Sequence, residues 1–268
     1  MPDRDYFNIK GVSNSMLKAF DDDPLKCYQQ YVSRELPMDE STASMRWGTL
    51  FETWIFDMGR IVEIPNSVLS RTGSRAGSAW KQFHADHPMS ILVKSTEVES
   101  LRIAEKNIVN HDAARKLIFN AGGLPWQVCQ WIDDETTLEC KCEIDRVLPG
   151  AMLVDLKTSK SIAPDKFLSQ AHSLRYHRQA QFYATGWEQC HGDLLEMAFV
   201  AVKNTPSYSV EVFHLTEGFI ALAQEENRSA LRRIAESFAS GKWNTPTHGT
   251  VIELDAPAWA YRQAIVGT

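Results

Sequence analysis

The chain has no run of about eighteen consecutive apolar residues, the length a helix needs to cross a bilayer. Its polar opening, MPDRDYFNIKG, lacks the charged-then-apolar layout of a secretory signal. A cytoplasmic protein with no membrane partner is the expectation. Cysteine is scarce: there are five, an odd number, too scattered for a disulfide framework. Only Cys140 and Cys142 stand close, and their spacing puts both on one face of a strand, alternating with Glu139, Lys141 and Glu143. They read as core, because the paired CxxC ligands of zinc and iron–sulfur sites are missing. Internal repeats, low-complexity tracts and linker-like composition are also absent, so 1–268 reads as a single domain. Positive charge is in deficit. A formal net charge of −6 argues at first sight against a nucleic-acid partner. Distribution outweighs the total, however, and a metal site built from carboxylates concentrates acid locally.

What is present belongs to a globular α/β chain. Hydrophobic residues make up 44% and charged residues 23% of the 268, enough apolar content for a large core. GVSNSMLKAFDDDPLKCYQQYV predicts a helix capped by Ser13 or Asn14 and broken at DDDP. A second helix begins near Met45 and carries WGTLFETWIFDMG, apolar on most sides except at Glu52. Residues 70–80, SRTGSRAGSAW, predict a basic loop or a loose helix start. One long amphipathic helix is expected from Ser95 to Ile118. Three strands follow in PWQVCQWID, TLECKCEIDRVL and AMLVDLKT, joined as two hairpins through turns at Asp133–Thr136 and Pro149–Gly150. A long helix from about Pro164 to Cys190, strands in LLEMAFVAVK and SYSVEVFHL, and a helix from Glu217 to about Ser240 complete the body. The tail predicts a turn at Pro246 and a short helix with Asp255 as cap and Pro257 in its first turn.

The chemistry concentrates in CEIDRVLPGAMLVDLKT. Alternation places Asp145 on the face opposite Cys140, Cys142 and Ile144, with Glu143 beside it. On the next strand Asp155 and Lys157 share a face, while Val154 and Leu156 point into the core. Pairing through the Pro149–Gly150 turn brings Asp145, Asp155 and Lys157 together. Two converging carboxylates on a buried-type sheet are costly unless a divalent cation neutralises them, and oxygen donors select Mg²⁺ or Mn²⁺ over zinc. Such an ion polarises a phosphate, stabilises developing charge and lowers the pKa of a bound water, with Lys157 orienting that water. The carbonyl of Leu156 is a further candidate ligand, and Glu143 an alternative one. Taken alone, D-x-K at a strand end describes a surface ion pair equally well.

These residues resemble a known family. Asp, a turn, apolar-Asp-x-Lys and then a helix with Q-x-x-x-Y resemble the phage-type recombination exonucleases of the PD-(D/E)xK superfamily, namely the nuclease domain of exonuclease VIII and, more distantly, lambda exonuclease. GVSNSMLKAFDDDP, WGTLFETWIFD, RTGSRAGSAWKQF, RYHRQAQFYATG and APAWAYRQA resemble further segments of that family, in the same order along nearly the whole chain. The resemblance implies a restriction-endonuclease-like core: a central mixed β-sheet flanked by helices, with additional N-terminal helices. It implies Asp145 and Asp155 as metal ligands and Lys157 as the catalytic lysine. Glu52 takes the place of a helix-borne histidine that usually completes the metal shell. Gln179 and Tyr183, four apart on one helix face, would lie beside the substrate strand. Arg71, Arg75 and Lys81 in the basic loop, Lys160 and Lys166 beyond the metal strand, and His177 and Arg178 are candidate phosphate contacts, with a solvated basic face as the alternative for each.

The implied activity is Mg²⁺-dependent degradation of one strand of linear duplex DNA, 5′ to 3′, leaving 3′ tails for a single-strand annealing partner. A ring-like homo-oligomer, trimer or tetramer, is implied with it, and a basic channel in such a ring accommodates the negative total charge. Alternatives are an endonuclease, a Cas4-like end-processing nuclease, or a catalytically dead DNA-binding module. Cas4-like proteins usually carry three cysteines near the C-terminus, whereas only Cys190 lies in the last third here.

Overall fold

The computed structural model describes residues 5–245 and 247–257. Its centre is a five-stranded mixed sheet in the order β3-β4-β5-β6-β7. The strands are β3 (Leu124–Ile132), β4 (Glu139–Leu148), β5 (Met152–Ser159), β6 (Met197–Lys203) and β7 (Val210–His214). β3, β4 and β5 form the two expected antiparallel hairpins. β5 and β6 run parallel, which demands a crossover, supplied by α7 (Pro164–Ser173) and α8 (Tyr176–His191). β7 returns antiparallel on β6. A small parallel pair, β1 (Ile61–Glu63) with β2 (Ile91–Val93), lies outside this sheet and was not anticipated, since three-residue strands give no periodicity to read.

Both faces of the sheet are covered, so β6 reads as the continuous apolar run MAFVAVK. On one face α1 (Asn14–Asp22), α8 and α9 (Glu217–Ser240) bury Leu17, Phe182 and Ile234 against Cys142, Leu153 and Phe199. On the other, α3 (Ala43–Phe56), α5 (Ser95–Asn110) and α6 (Asp112–Ile118) bury Phe51, Leu101 and Ile118 against Val154, Leu156 and Val200. Caps fall at the sequence signals: Ser13 accepts from Met16 N–H at 3.2 Å, and Thr42 from Met45 N–H at 3.2 Å. DDDP does end α1, and Asp23 then caps the short α2 (Pro24–Cys27). The segment leading into α1 is fixed to β4 through Val12, whose N–H and C=O bond Glu139 and Lys141, and through Lys141 Nζ, which donates to the carbonyls of Tyr6 and Ile9 at 2.9 and 2.7 Å.

Two expected long helices are each split. The one over 95–118 breaks at His111, which leaves helical geometry and caps α6 by accepting from Ala114 N–H through Nδ1 at 3.2 Å. The one over 164–190 breaks at Arg175, whose φ of 58° is left-handed. The basic loop of 70–77 leads into α4 (Ser78–Asp86). Residues 251–257 have no regular structure, Asp255 accepts from Ala256 N–H, and the expected turn residue Pro246 and tail helix lie outside the described residues.

Candidate active site

The hairpin ladder between β4 and β5 runs from Leu148↔Met152 to Arg146↔Val154 and stops there. At the next step the Asp145 carboxylate takes over, accepting from Leu156 N–H at 2.8 Å. The alternation of β4 changes at this point: Ile144 and Val147 enter the same core cluster although three residues apart. Across the hairpin, Trp126 of β3 has a left-handed φ of 49°, between the paired Pro125↔Arg146 and Gln127↔Ile144. The alternation is therefore interrupted between Ile144 and Val147, beside Asp145. The local irregularity, not plain alternation, delivers its carboxylate to β5.

Asp155 is 1% exposed. Lys157 Nζ lies 2.6 Å from its Oδ2. Gln179, on the first turn of α8, closes a triangle: its Nε2 donates to Asp155 Oδ1 at 2.6 Å and its Oε1 accepts from Lys157 Nζ at 2.9 Å. Glu52, on α3, accepts from Trp126 Nε1 at 2.7 Å, and its charge acts on Asp145. α3 reaches the strand because Gly48, one turn earlier, has no side chain: a Cβ there would stand 3.0 Å from Thr158 Oγ1.

The electrostatics follow from this crowding. Burial first, then the Asp155 and Glu52 carboxylates, pushes the Asp145 carboxyl well above its usual range, against Lys157 and the Leu156 N–H. Burial pulls the Lys157 ammonium down, but Asp155 and Asp145 outweigh it and hold Lys157 above the ordinary lysine range. Burial, then Tyr6 and Cys142, then Asp155 and Asp145, raises the Tyr183 phenol, which packs half-buried against the first core cluster.

Three carboxylates on three elements, with Asp155 and Glu52 both repelling Asp145 beside the partly buried Lys157, form a donor set suited to a hard divalent cation. Among the described residues no three acidic, cysteine or histidine groups already converge as a metal cluster. Asp145, Asp155 and Glu52 are instead each tied to a protein donor. Asp145, Asp155 and Glu52 are the residues that would hold such an ion. Cys140 and Cys142 are buried in the core, as read from their spacing.

Other candidates part company. His177 and Arg178 are 1% and 3% exposed. His177 bonds Glu226 at 2.9 Å, and Arg178 binds Asn227 at 2.8 Å and pairs with Asp21. As contacts for phosphate they are corrected: His177 faces α9 and Arg178 faces α9 and α1, because buried polar and charged groups seek partners. Gln179, expected to meet the substrate strand, spends its amide on Asp155 and Lys157. Arg71 and Lys81 are exposed, and half-exposed Arg75 binds Leu92 O and Glu97. Lys160 is exposed, as is Lys166 beside Asp165. None of these five hydrogen-bonds or pairs with the carboxylates of the site. Trp126, which holds Glu52, and Lys18, described below, were not singled out by sequence; a tryptophan on an edge strand and a lysine on an amphipathic helix carry no distinctive signal.

A mixed sheet covered on both faces, with Asp145 at a ladder break and Asp155-x-Lys157 on the central strand, defines the PD-(D/E)xK nuclease class. The chain belongs to the family described as "PDDEXK-like domain of unknown function (DUF3799)", whose model matches residues 13–249. A crystal structure described as a "Putative exonuclease" from Eubacterium rectale is similar in fold over 94% of this chain and 92% of its own, at 14% identity and a TM-score of 0.58. An alkaline exonuclease from Laribacter hongkongensis aligns over 73% of this chain and 96% of its own at 13% identity, but its TM-score of 0.27 is too low to carry an argument. No curated protein matches in sequence. No described helix is long and apolar enough to cross a membrane.

Proposed function

We propose that this protein is a divalent-metal-dependent exonuclease acting on the ends of linear duplex DNA. The observation that carries the reading is the closed Asp155–Lys157–Gln179 triangle with Asp145 one ladder step away. Asp145, Asp155 and Glu52, with the Leu156 carbonyl, would hold Mg²⁺ or Mn²⁺, which supplies Lewis-acid polarisation of the phosphate and an acidified water. Lys157, kept charged by two carboxylates, offers its ammonium to the phosphate oxygens as negative charge develops. Gln179 fixes the rotamer of Lys157 and orients Asp155. Tyr183 stays protonated and available as a donor. Hydrolysis of one strand 5′ to 3′, a ring-like trimer or tetramer and an annealing partner for the 3′ tails belong to the same reading, supported by the segment-by-segment resemblance to recombination exonucleases. Arg71, Arg75, Lys81, Lys160 and Lys166 are the proposed outer phosphate contacts.

The test supplies linear and covalently closed duplex DNA with Mg²⁺ or Mn²⁺, beside EDTA and an Asp155→Ala variant. Loss of linear DNA alone, abolished by EDTA and by the substitution, is expected. Cutting of closed circles converts the reading to an endonuclease, and no cutting of either removes the enzyme.

A further inference from the structure

α1 carries a lysine that the mechanism above does not use. Lys18 is half-buried, and its Nζ lies 5.9 Å from the centre of the Tyr176 ring. Lys157 Nζ lies over the same ring at 4.7 Å. One aromatic ring therefore neighbours two ammonium groups, which repel each other. Among the described residues Lys18 Nζ has no carboxylate or carbonyl partner. Two nearby cations are treated otherwise: Lys157 has Asp155, and Arg178 has Asp21. A single cation–π contact at that distance offsets little of the cost of desolvating an ammonium. Burial and then Lys157 pull its ammonium down to about 7, against the weaker opposing charge of Asp155.

The position is nonetheless built. Arg175, at the junction of α7 and α8, adopts a left-handed φ of 58° that a non-glycine residue holds only when its surroundings fix it. Its guanidinium donates to the Lys18 carbonyl at 2.9 Å and pairs with Asp22 at 2.7 Å. One residue thus clamps the turn of α1 that bears Lys18 and starts the helix that bears Tyr176 and Gln179. A partly desolvated cation without a carboxylate or carbonyl partner, held beside the proposed phosphate-cleaving centre, is suited to hold an anion.

We propose that Lys18 is a second phosphate-holding residue, whose ammonium grips the DNA backbone phosphate next to the one being cut. This deepens, and rests on, the nuclease reading. Holding the neighbouring phosphate fixes the register of the strand over Asp155 and Lys157. Tyr176 is the shared floor of the two subsites.

The experiment compares the full-length wild type with Lys18→Met and Lys18→Arg. Binding of a short duplex is followed by anisotropy in Ca²⁺ across a salt series, and hydrolysis is followed in Mg²⁺. Lys18→Met is expected to raise Kd and KM roughly tenfold, change kcat little, and flatten the salt slope by about 0.9, the loss of one phosphate contact. Lys18→Arg restores both, which a proton-transfer role for the amine would not allow. Lys18→Gln serves in its place if the methionine variant melts early. An unchanged salt slope in Lys18→Met, or a fall in kcat that Lys18→Arg fails to restore, overturns the proposal. If the wild type binds DNA with the expected Lys18 dependence yet cuts nothing, the nuclease reading fails and the phosphate contact stands. If the wild type binds no DNA, both fall.

Discussion

Gln179 bonds Lys157 and Asp155 at once, at 2.9 and 2.6 Å. An amide donates to a carboxylate through its NH₂ and accepts from an ammonium through its oxygen, without adding charge. Gln179→Leu keeps the helix and the bulk but loses both bonds. It should lower kcat on linear DNA by roughly 10–100-fold, the usual cost of removing a group that orients a metal-site ligand, with KM nearly unchanged. Steady-state hydrolysis at saturating Mg²⁺ checks this, and wild-type turnover removes Gln179 from the machinery. His177, two residues earlier, makes a different prediction. Burial holds its pKa below the ordinary 6.5, opposed by the Glu226 bond, with the His172 ring nearby. A group whose folded pKa is depressed contributes stability that is present above its unfolded value and lost as pH falls. Urea midpoints should therefore drop below about pH 6.5. In His177→Phe, which retains the stack on Phe219 at 4.4 Å, part of that drop should disappear; parallel pH profiles in the two proteins would show that another group is responsible.

At the scale of elements, the crossing of α3 over β5 decides where Glu52 stands. A Cβ on Gly48 meets Thr158 Oγ1 at 3.0 Å, so a larger residue pushes the helix off the strand. Gly48→Val should weaken Mg²⁺ binding on the order of tenfold by displacing Glu52 one turn on. Thr158→Ala in the same chain should return part of the loss, a coupling of about 0.5–3 kcal/mol; calorimetric titration of the four proteins checks it, and strict additivity contradicts it. Elements of this kind were legible where the signal is local. The strands of 124–159 show alternation bounded by turn residues, Ser13 caps a helix, and Glu52 stands out as one acid in an apolar helix. The breaks at His111 and Arg175 were not legible, because neither involves proline or glycine. Arg175 holds its left-handed φ through Asp22 and the Lys18 carbonyl, partners more than 150 residues away. His177 and Arg178 turn inward for the same reason, drawn by Asp21, Glu226 and Asn227, whose proximity only the fold creates. The D-x-K pattern marked the candidate site, while the ladder break beside Asp145 depends on a backbone irregularity that alternation does not encode.

For the whole molecule, a net charge of −6 is compounded by three carboxylates gathered from α3, β4 and β5 beside the partly buried Lys157. The folded state gathers these charges and the unfolded chain disperses them, so without a cation the site opposes folding. Asp145 shares in that opposition. A carboxyl whose pKa is raised in the folded state contributes stability that is lost as pH rises above its unfolded value. A divalent ion that binds only the folded site reverses the balance, adding about 2.7 kcal/mol at a hundred times its Kd. For a chain of this size that corresponds to roughly 5–10 °C in Tm. Asp145→Asn should then melt higher than wild type in EDTA, because the amide keeps its oxygen on the Leu156 N–H and removes the charge, yet gain little from Mg²⁺ or Mn²⁺. Thermal melts of both proteins with and without metal decide the matter. A variant that melts lower in EDTA and still rises fully with metal would place the cation elsewhere. The opposite signs expected with and without metal distinguish a site that sacrifices apo stability for ion binding from an ion pair network that merely holds the sheet together.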